Sequence, residues 1–262
     1  MKKFEQTHPW IRFQLRLPKD DHRLWLRLGE ISSKVEHLAG VPLRPDVAEE
    51  LHKIYLTKGV LATTAIEGNT LSEEQVRLQV EGTLELPKSQ GYLQQEVQNI
   101  LNVCNQEAQL LISSGREAHP GLSLEMLQGY NRSVLEGLEV DEGVTPGEIR
   151  SHSVLVGNVY RGAPAEDCEY LLQRLCEWLN GPDFEAPDKE LVVSFALVKA
   201  VVAHLYLAWI HPFGDGNGRT ARLVEFHILL ANGVPLPAAH LLSDHYNLTR
   251  TRYYRELDKT SK

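Results

Sequence analysis

Residues 191–210, LVVSFALVKAVVAHLYLAWI, form an apolar run uninterrupted by glycine or proline. A stretch of this length either crosses a bilayer or forms the central helix of a helical bundle. Lys199 and His204 lie inside it, where a lipid-facing charge would be costly. The run therefore reads as a helix buried on most sides, with His204 a satisfied core residue. Such a helix needs amphipathic partners to cover it.

Those partners are visible. Asp20–Leu38 and Pro45–Ala65 carry apolar residues three and four apart, the second entered through Arg44-Pro45-Asp46. Ser72 suits the N-cap of a short helix, Gln94–Ile112 is helical again, and Ser123 begins a helix running to about Glu136. Ala165–Leu179, about Gly218–Ala231 and roughly Asn247–Leu257 complete the set. Only Ser153–Val156, closed by Gly157-Asn158, looks like a strand, giving one small hairpin. The expected fold is mostly α, a helical bundle with a small β-hairpin flap. An N-terminal helical region is drawn at residues 1–89, with a core domain at 90–262.

Composition narrows the partners. Basic and acidic residues number 27 and 35, a net charge of −8, with no Lys/Arg cluster, so nucleic acid is not expected. Cys104, Cys168 and Cys176 have no C-x-x-C spacing and read as reduced packing residues of a cytoplasmic protein. The N-terminus lacks the apolar segment of a signal peptide, and no membrane association is expected. His240 and His245 lack the spacing and third ligand of a zinc site.

Directly after the apolar run comes His211–Arg222, HPFGDGNGRTAR. It combines a base, a carboxylate, three glycines and two arginines. Glycines at a helix start let a phosphate approach backbone amides, and Asp215 is a hard oxygen donor suited to Mg²⁺. Arg219 and Arg222, three apart, share one helical face and can reach a phosphate chain. His211 suits the role of general base toward a hydroxyl, and Phe213 anchors the loop into the core.

These residues resemble the Fic signature H-x-F-x-(D/E)-G-N-G-R-x-x-R at every specified position. The resemblance implies a Fic fold and transfer of AMP from ATP to a Ser, Thr or Tyr hydroxyl of a target protein and of the enzyme itself. It implies that His211 is the base, Asp215 holds Mg²⁺, Gly216, Asn217, Gly218 and Arg219 bind the α- and β-phosphates, and Arg222 receives the γ-phosphate. Relatives with kinase activity carry lysine where this chain has Gly218, which favours AMP transfer.

Thr63-Thr64-Ala65-Ile66-Glu67-Gly68-Asn69 is a second segment of interest. Thr63 and Glu67, four apart, share a helical face, and Gly68-Asn69 suits the end of that helix. Alone, this is an ordinary helix end with a solvated glutamate. Beside a complete loop it resembles the family's inhibitory pattern (S/T)-x-x-x-E-(G/N). It then implies an inhibitory helix at about 50–68, with Thr63, Glu67 and Gly68 as its inhibitory residues and Glu67 competing for Arg222.

The resemblance also makes residues 153–158 a flap that docks a target by strand addition, with Val156, Gly157 and Asn158 near the nucleotide. Tyr253 and Tyr254 match a pair that walls the adenine pocket, and Ser261 stands where some relatives place an adenine-binding asparagine. Alternatives are removal of AMP, transfer of another nucleotide or of phosphocholine, or a non-catalytic nucleotide-sensing regulator. A homo-oligomer is compatible with the sequence but not specified by it.

Overall fold

A computed structural model describes residues 2–114, 120–156 and 160–260. The apolar run becomes α8, Val192–Ile210, which packs most extensively against α9, Asn217–Ala231. Ala196, Ala200, Ala203 and Leu207 recur every three or four residues and are buried, so α8 presents a smooth face for close packing. By length and hydropathy Lys189–Ile210 could cross a membrane; here α2, α7 and α9 pack against it. His204 is 4% exposed, with Nε2 2.8 Å from the Tyr253 hydroxyl and Nδ1 3.0 Å from Glu225 Oε2.

The remaining helices assemble around this pair. A single turn, α1 (Phe4–Thr7), lies against α7 (Ala165–Leu179), where the Phe4 amide donates to Asp167 Oδ2 at 2.8 Å. α2 (His22–Gly40) is capped by Asp21, and α3 (Pro45–Ile66) opens with proline at its first position. α4 (Glu73–Val80) begins in a capping box, where Ser72 Oγ accepts from the Gln75 amide and Gln75 returns the bond. α5 (Gly91–Ser114) and α6 (Leu124–Val134), the latter capped by Ser123, both pack on α9. One apolar core runs from Phe4, Val35 and Val60 through Val97 and Leu171 to Leu229, across the division drawn at residues 89 and 90.

Two expectations change. The last helix, expected over roughly Asn247–Leu257, is two helices, α11 (Leu241–Leu248) and α12 (Arg250–Thr260). The run breaks at Thr249, which stands at φ −115° and ψ 32° with its hydroxyl and amide both donating to the His245 carbonyl. A four-residue helix, α10 (Leu236–Ala239), precedes them after Pro235. The hairpin is also shorter than Ser153–Val156 suggests. β1 (Leu155–Val156) pairs antiparallel with β2 (Tyr160–Arg161), Val156 opposite Tyr160.

All three cysteines are free and buried, and burial raises their thiols to about 12, 11 and 12 for Cys104, Cys168 and Cys176. Thiols held that far above neutrality stay protonated and act as packing.

Candidate active site

The loop between α8 and α9 is pinned at several points. Asn217 closes it: its side-chain oxygen accepts from the Phe213 amide at 3.0 Å and its amide donates to the Phe213 carbonyl at 2.9 Å. Phe213 is buried and forms an isolated bridge with Ile149. Asn131 on α6 donates to the Asp215 carbonyl at 2.8 Å. Gly216 caps α9 at φ 75°, a left-handed conformation that disfavours other residues, and an added Cβ would lie 3.0 Å from Asn131 Nδ2. The first amides of α9 have no carbonyl within the helix to bond, so they aim at whatever sits above Gly216–Arg219.

His211 ends α8 in the left-handed region, φ 48° and ψ 59°. Burial and the Arg150 cation hold its imidazole down to about 4, against the smaller opposing pulls of the Ala208 backbone, Glu67 and Asp215. The ring is thus neutral at physiological pH and free to take a proton. It lines a cavity of about 590 Å³ with Tyr160, Trp209, Gly218, Tyr253 and Tyr254, within the span of about 300–1,000 Å³ typical of small-molecule sites. Val156 and Glu67 also line it. Gly157, Asn158 and Ser261 lie outside the described residues.

Both arginines of the loop face carboxylates. Arg222, 2% exposed, donates from Nε to the Thr63 hydroxyl at 2.6 Å, and from Nη2 to the Thr63 carbonyl at 3.0 Å and to Glu67 Oε1 at 2.6 Å. Burial opposes charge on both partners, but their mutual attraction wins: Glu67 sits below the usual carboxylate range and Arg222 above its ordinary value. Arg219 donates to Glu96 Oε1 on α5 at 2.9 Å and lies 3.3 Å from Asp215 Oδ1. Glu67 also stands against Gly218, where an added Cβ would collide with its Oε1.

Glu67 is the C-cap of α3, and Gly68 follows at φ 104°, ending the helix without touching the arginine. Asn69 locks this end from below: its amide donates to the Leu93 carbonyl at 3.0 Å and to Glu96 Oε2 at 2.8 Å. From above, α12 holds it: Arg250 Nη2 and the Tyr254 hydroxyl donate to the Ile66 carbonyl at 2.5 and 3.1 Å. Asp215 remains half exposed, and its Oδ2 has only a 3.5 Å contact with Arg219.

Sequence reading placed Thr63, Glu67, His211, Val156, Tyr253 and Tyr254 at this site, and the structure gathers them around one cavity and one guanidinium. It missed Glu96, Arg150, Arg250 and the Glu225–His204 support behind Tyr253. Each comes from a different helix or loop and carries no local pattern that marks it.

Residues 121–229 match the Fic/DOC family profile. The chain is 29% identical over 243 residues to protein adenylyltransferase fic-1 of Caenorhabditis briggsae, covering 90% of this chain and 42% of that protein. It is 27% identical over 248 residues to protein adenylyltransferase Fic of Nematostella vectensis, covering 95% and 53% respectively. The chain thus spans about half or less of the length of these curated relatives. A Fic family protein from Desulfovibrio desulfuricans G20 superposes with a TM-score of 0.70 at 26% identity, over 93% of this chain and 68% of that one. Fic-1 of C. elegans superposes at 0.66 with 23% identity, over 90% and 73%, a likeness of fold. The α8–loop–α9 unit with its neighbouring helices thus lies in the segment that matches the Fic/DOC profile, and its fold is similar to that of solved Fic proteins.

Proposed function

We propose that this protein is a protein adenylyltransferase that moves AMP from ATP to a Ser, Thr or Tyr hydroxyl of a target protein and of itself. The observation that carries the reading is a half-buried base, His211, on the same cavity as the first turn of α9 and the Tyr253–Tyr254 wall. The names of the curated relatives support it. Adenine fits between α8 and the tyrosines, and the phosphates run toward the amides of Gly216–Arg219. Among the described residues, Arg219 Nε and Arg222 Nη1 are buried donors with no acceptor, as an anion site requires.

Asp215 suits Mg²⁺: it is a hard oxygen donor, half exposed, beside the helix start. Bound there with ATP, the ion would withdraw charge from the transferring phosphate. The chain's own residues do the rest. His211 takes the proton from the target hydroxyl as that oxygen bonds to the α-phosphorus. The amides at the start of α9 stabilise the growing charge, and the bond from the α-phosphorus to the α–β bridging oxygen breaks to release pyrophosphate. The target docks by strand addition on β1, whose Leu155 and Val156 are exposed.

In this conformation the reaction is held off. Glu67 occupies Arg222, where the γ-phosphate would sit, and its negative charge repels that phosphate. ATP entering beside it settles with its α-phosphate out of line. Glu67→Gly is expected to raise self-labelling from radiolabelled ATP on the order of tenfold or more, a coupling worth roughly 1.4 kcal/mol per factor of ten. Mass spectrometry of the labelled protein should show the mass of AMP. Silence in both wild type and variant would sink the reading, and a different added mass would replace AMP with another group.

A further inference from the structure

Arg150 lies outside every motif discussed above, yet its side chain is buried, 4% exposed, directly behind His211. Its guanidinium makes four hydrogen bonds, all to carbonyl oxygens. Nε donates to His211 at 2.7 Å, Nη1 to His152 at 2.5 Å, and Nη2 to Ala163 at 2.5 Å and Ile210 at 3.3 Å. The Arg150 amide adds a bond to the Pro212 carbonyl at 3.0 Å. Two of the side-chain acceptors end α8, where a cation meets the negative end of the helix. The other two flank the hairpin: His152 precedes β1 and Ala163 follows β2.

We propose that Arg150 is a positioning residue for the transfer, fastening the left-handed backbone of His211 and both feet of the flap to one planar group. The inference rests on the adenylyltransferase reading and deepens it. Base and flap come from parts of the chain about fifty residues apart. Cys168 Sγ makes weak 3.9 Å contacts with the Ala163 and Ile210 carbonyls, but among the described residues Arg150 is the side chain that bonds the His211 carbonyl together with the flap. The reaction needs that registration, because the hydroxyl is delivered by a strand on the flap while its proton leaves to His211. A rigid five-donor fork holds several carbonyls in fixed relation; a lysine ammonium on a flexible stem does not.

Gly162 bears on the same device. A Cβ there would lie 2.9 Å from Arg150 Nη2, 3.0 Å from His211 Cβ and 3.2 Å from Val154 Cγ2. Gly162→Ala therefore crowds the fork and His211 together while leaving the Arg150 charge in place.

The test uses full-length protein carrying Glu67→Gly, with Arg150→Lys or Gly162→Ala added. Single-turnover self-labelling at saturating MgATP, calorimetric ATP affinity and thermal melting are measured on each. The phosphate cradle lies on α9, so ATP affinity should be unchanged, while the transfer rate falls on the order of a hundredfold through misplacement of the base. A retained rate with only a lowered melting temperature makes Arg150 a structural cap and overturns the proposal. So does a parallel loss of rate and ATP affinity, which means the loop collapsed as a whole. If Arg150→Lys fails to fold, Arg150→Gln carries the decision, because Gly162→Ala crowds His211 as well as the fork. A silent Glu67→Gly parent would instead bring down the adenylyltransferase reading, and this inference with it.

Discussion

Arg222 has two sides, and they are built differently. On the loop side, the backbone from His211 to Asn217 is pinned by Asn217, Asn131 and Arg150. On the helix side, Glu67 is a C-cap with 32% of its side chain exposed, followed by an exposed glycine. Its position depends on contacts from two other helices, Arg250 and Tyr254 on α12 and Glu96 on α5 through Asn69. The loop side is over-determined, whereas the side read as inhibitory is one ion pair at a helix end and two hydrogen bonds to Thr63 one turn earlier. Such a contact is removable without dismantling the site it covers.

The contrast can be broken at several strengths. The largest effect belongs to His211→Ala in the Glu67→Gly background, where self-labelling should drop by about 10²–10⁴ while ATP binding and melting temperature persist. Retained labelling would remove His211 as the base. Arg222→Met tests the shared partner. It should lower unfolding free energy by about 2–3 kcal/mol, less than a fully enclosed pair because Glu67 is partly exposed, and urea titration reads this directly. A change near zero would mean that the ion pair is only a surface contact.

A smaller effect probes the α12 hold. Arg250→Ala should raise self-labelling about fivefold, the equivalent of roughly 1 kcal/mol for one lost hydrogen bond. The same substitution should do nothing once Glu67 is glycine. Equal effects in both backgrounds would show that Arg250 acts on nucleotide binding, not through the helix end.

The smallest expected change is with pH. Glu67 is held below the carboxylate range, so the contact is complete above that range and lost only as pH falls through its lowered value. Wild-type labelling should therefore not rise between pH 8 and pH 6. In Glu67→Gly the acid limb should fall well below 6.5, because burial and Arg150 lower His211 and removing Glu67 takes away an upward pull. A limb at 6.5 or above would contradict the lowered imidazole of His211.

Several elements were legible because their causes are local. Ser72 with Gln75, Pro45 after Arg44 and Ser123 before α6 each signal a helix start within a few residues. The break at Thr249 was not legible, since Thr64 makes the same hydroxyl-to-carbonyl bond inside an unbroken α3 and nothing local tells the two threonines apart. At the site, spacing along one helix face carried Thr63 with Glu67. It also suggested that Arg219 and Arg222 act together, but in the structure each pairs with a carboxylate from a different helix.

By itself, the sequence determined an α-rich chain, a buried α8 and a loop chemically equipped to hold a polyphosphate beside a base. Hydrophobic period, caps and glycines act over a few residues and so leave a local trace. Tertiary structure alone decided that Glu67 meets Arg222, that Glu96 meets Arg219, that Arg250 holds Ile66 and that Arg150 backs His211. Those partners are 155, 123, 184 and 61 residues apart. Only the packing of α3, α5, α12 and the flap around α8 and α9 brings them within hydrogen-bond reach, because charge and hydrogen bonding select among neighbours that the fold has already made.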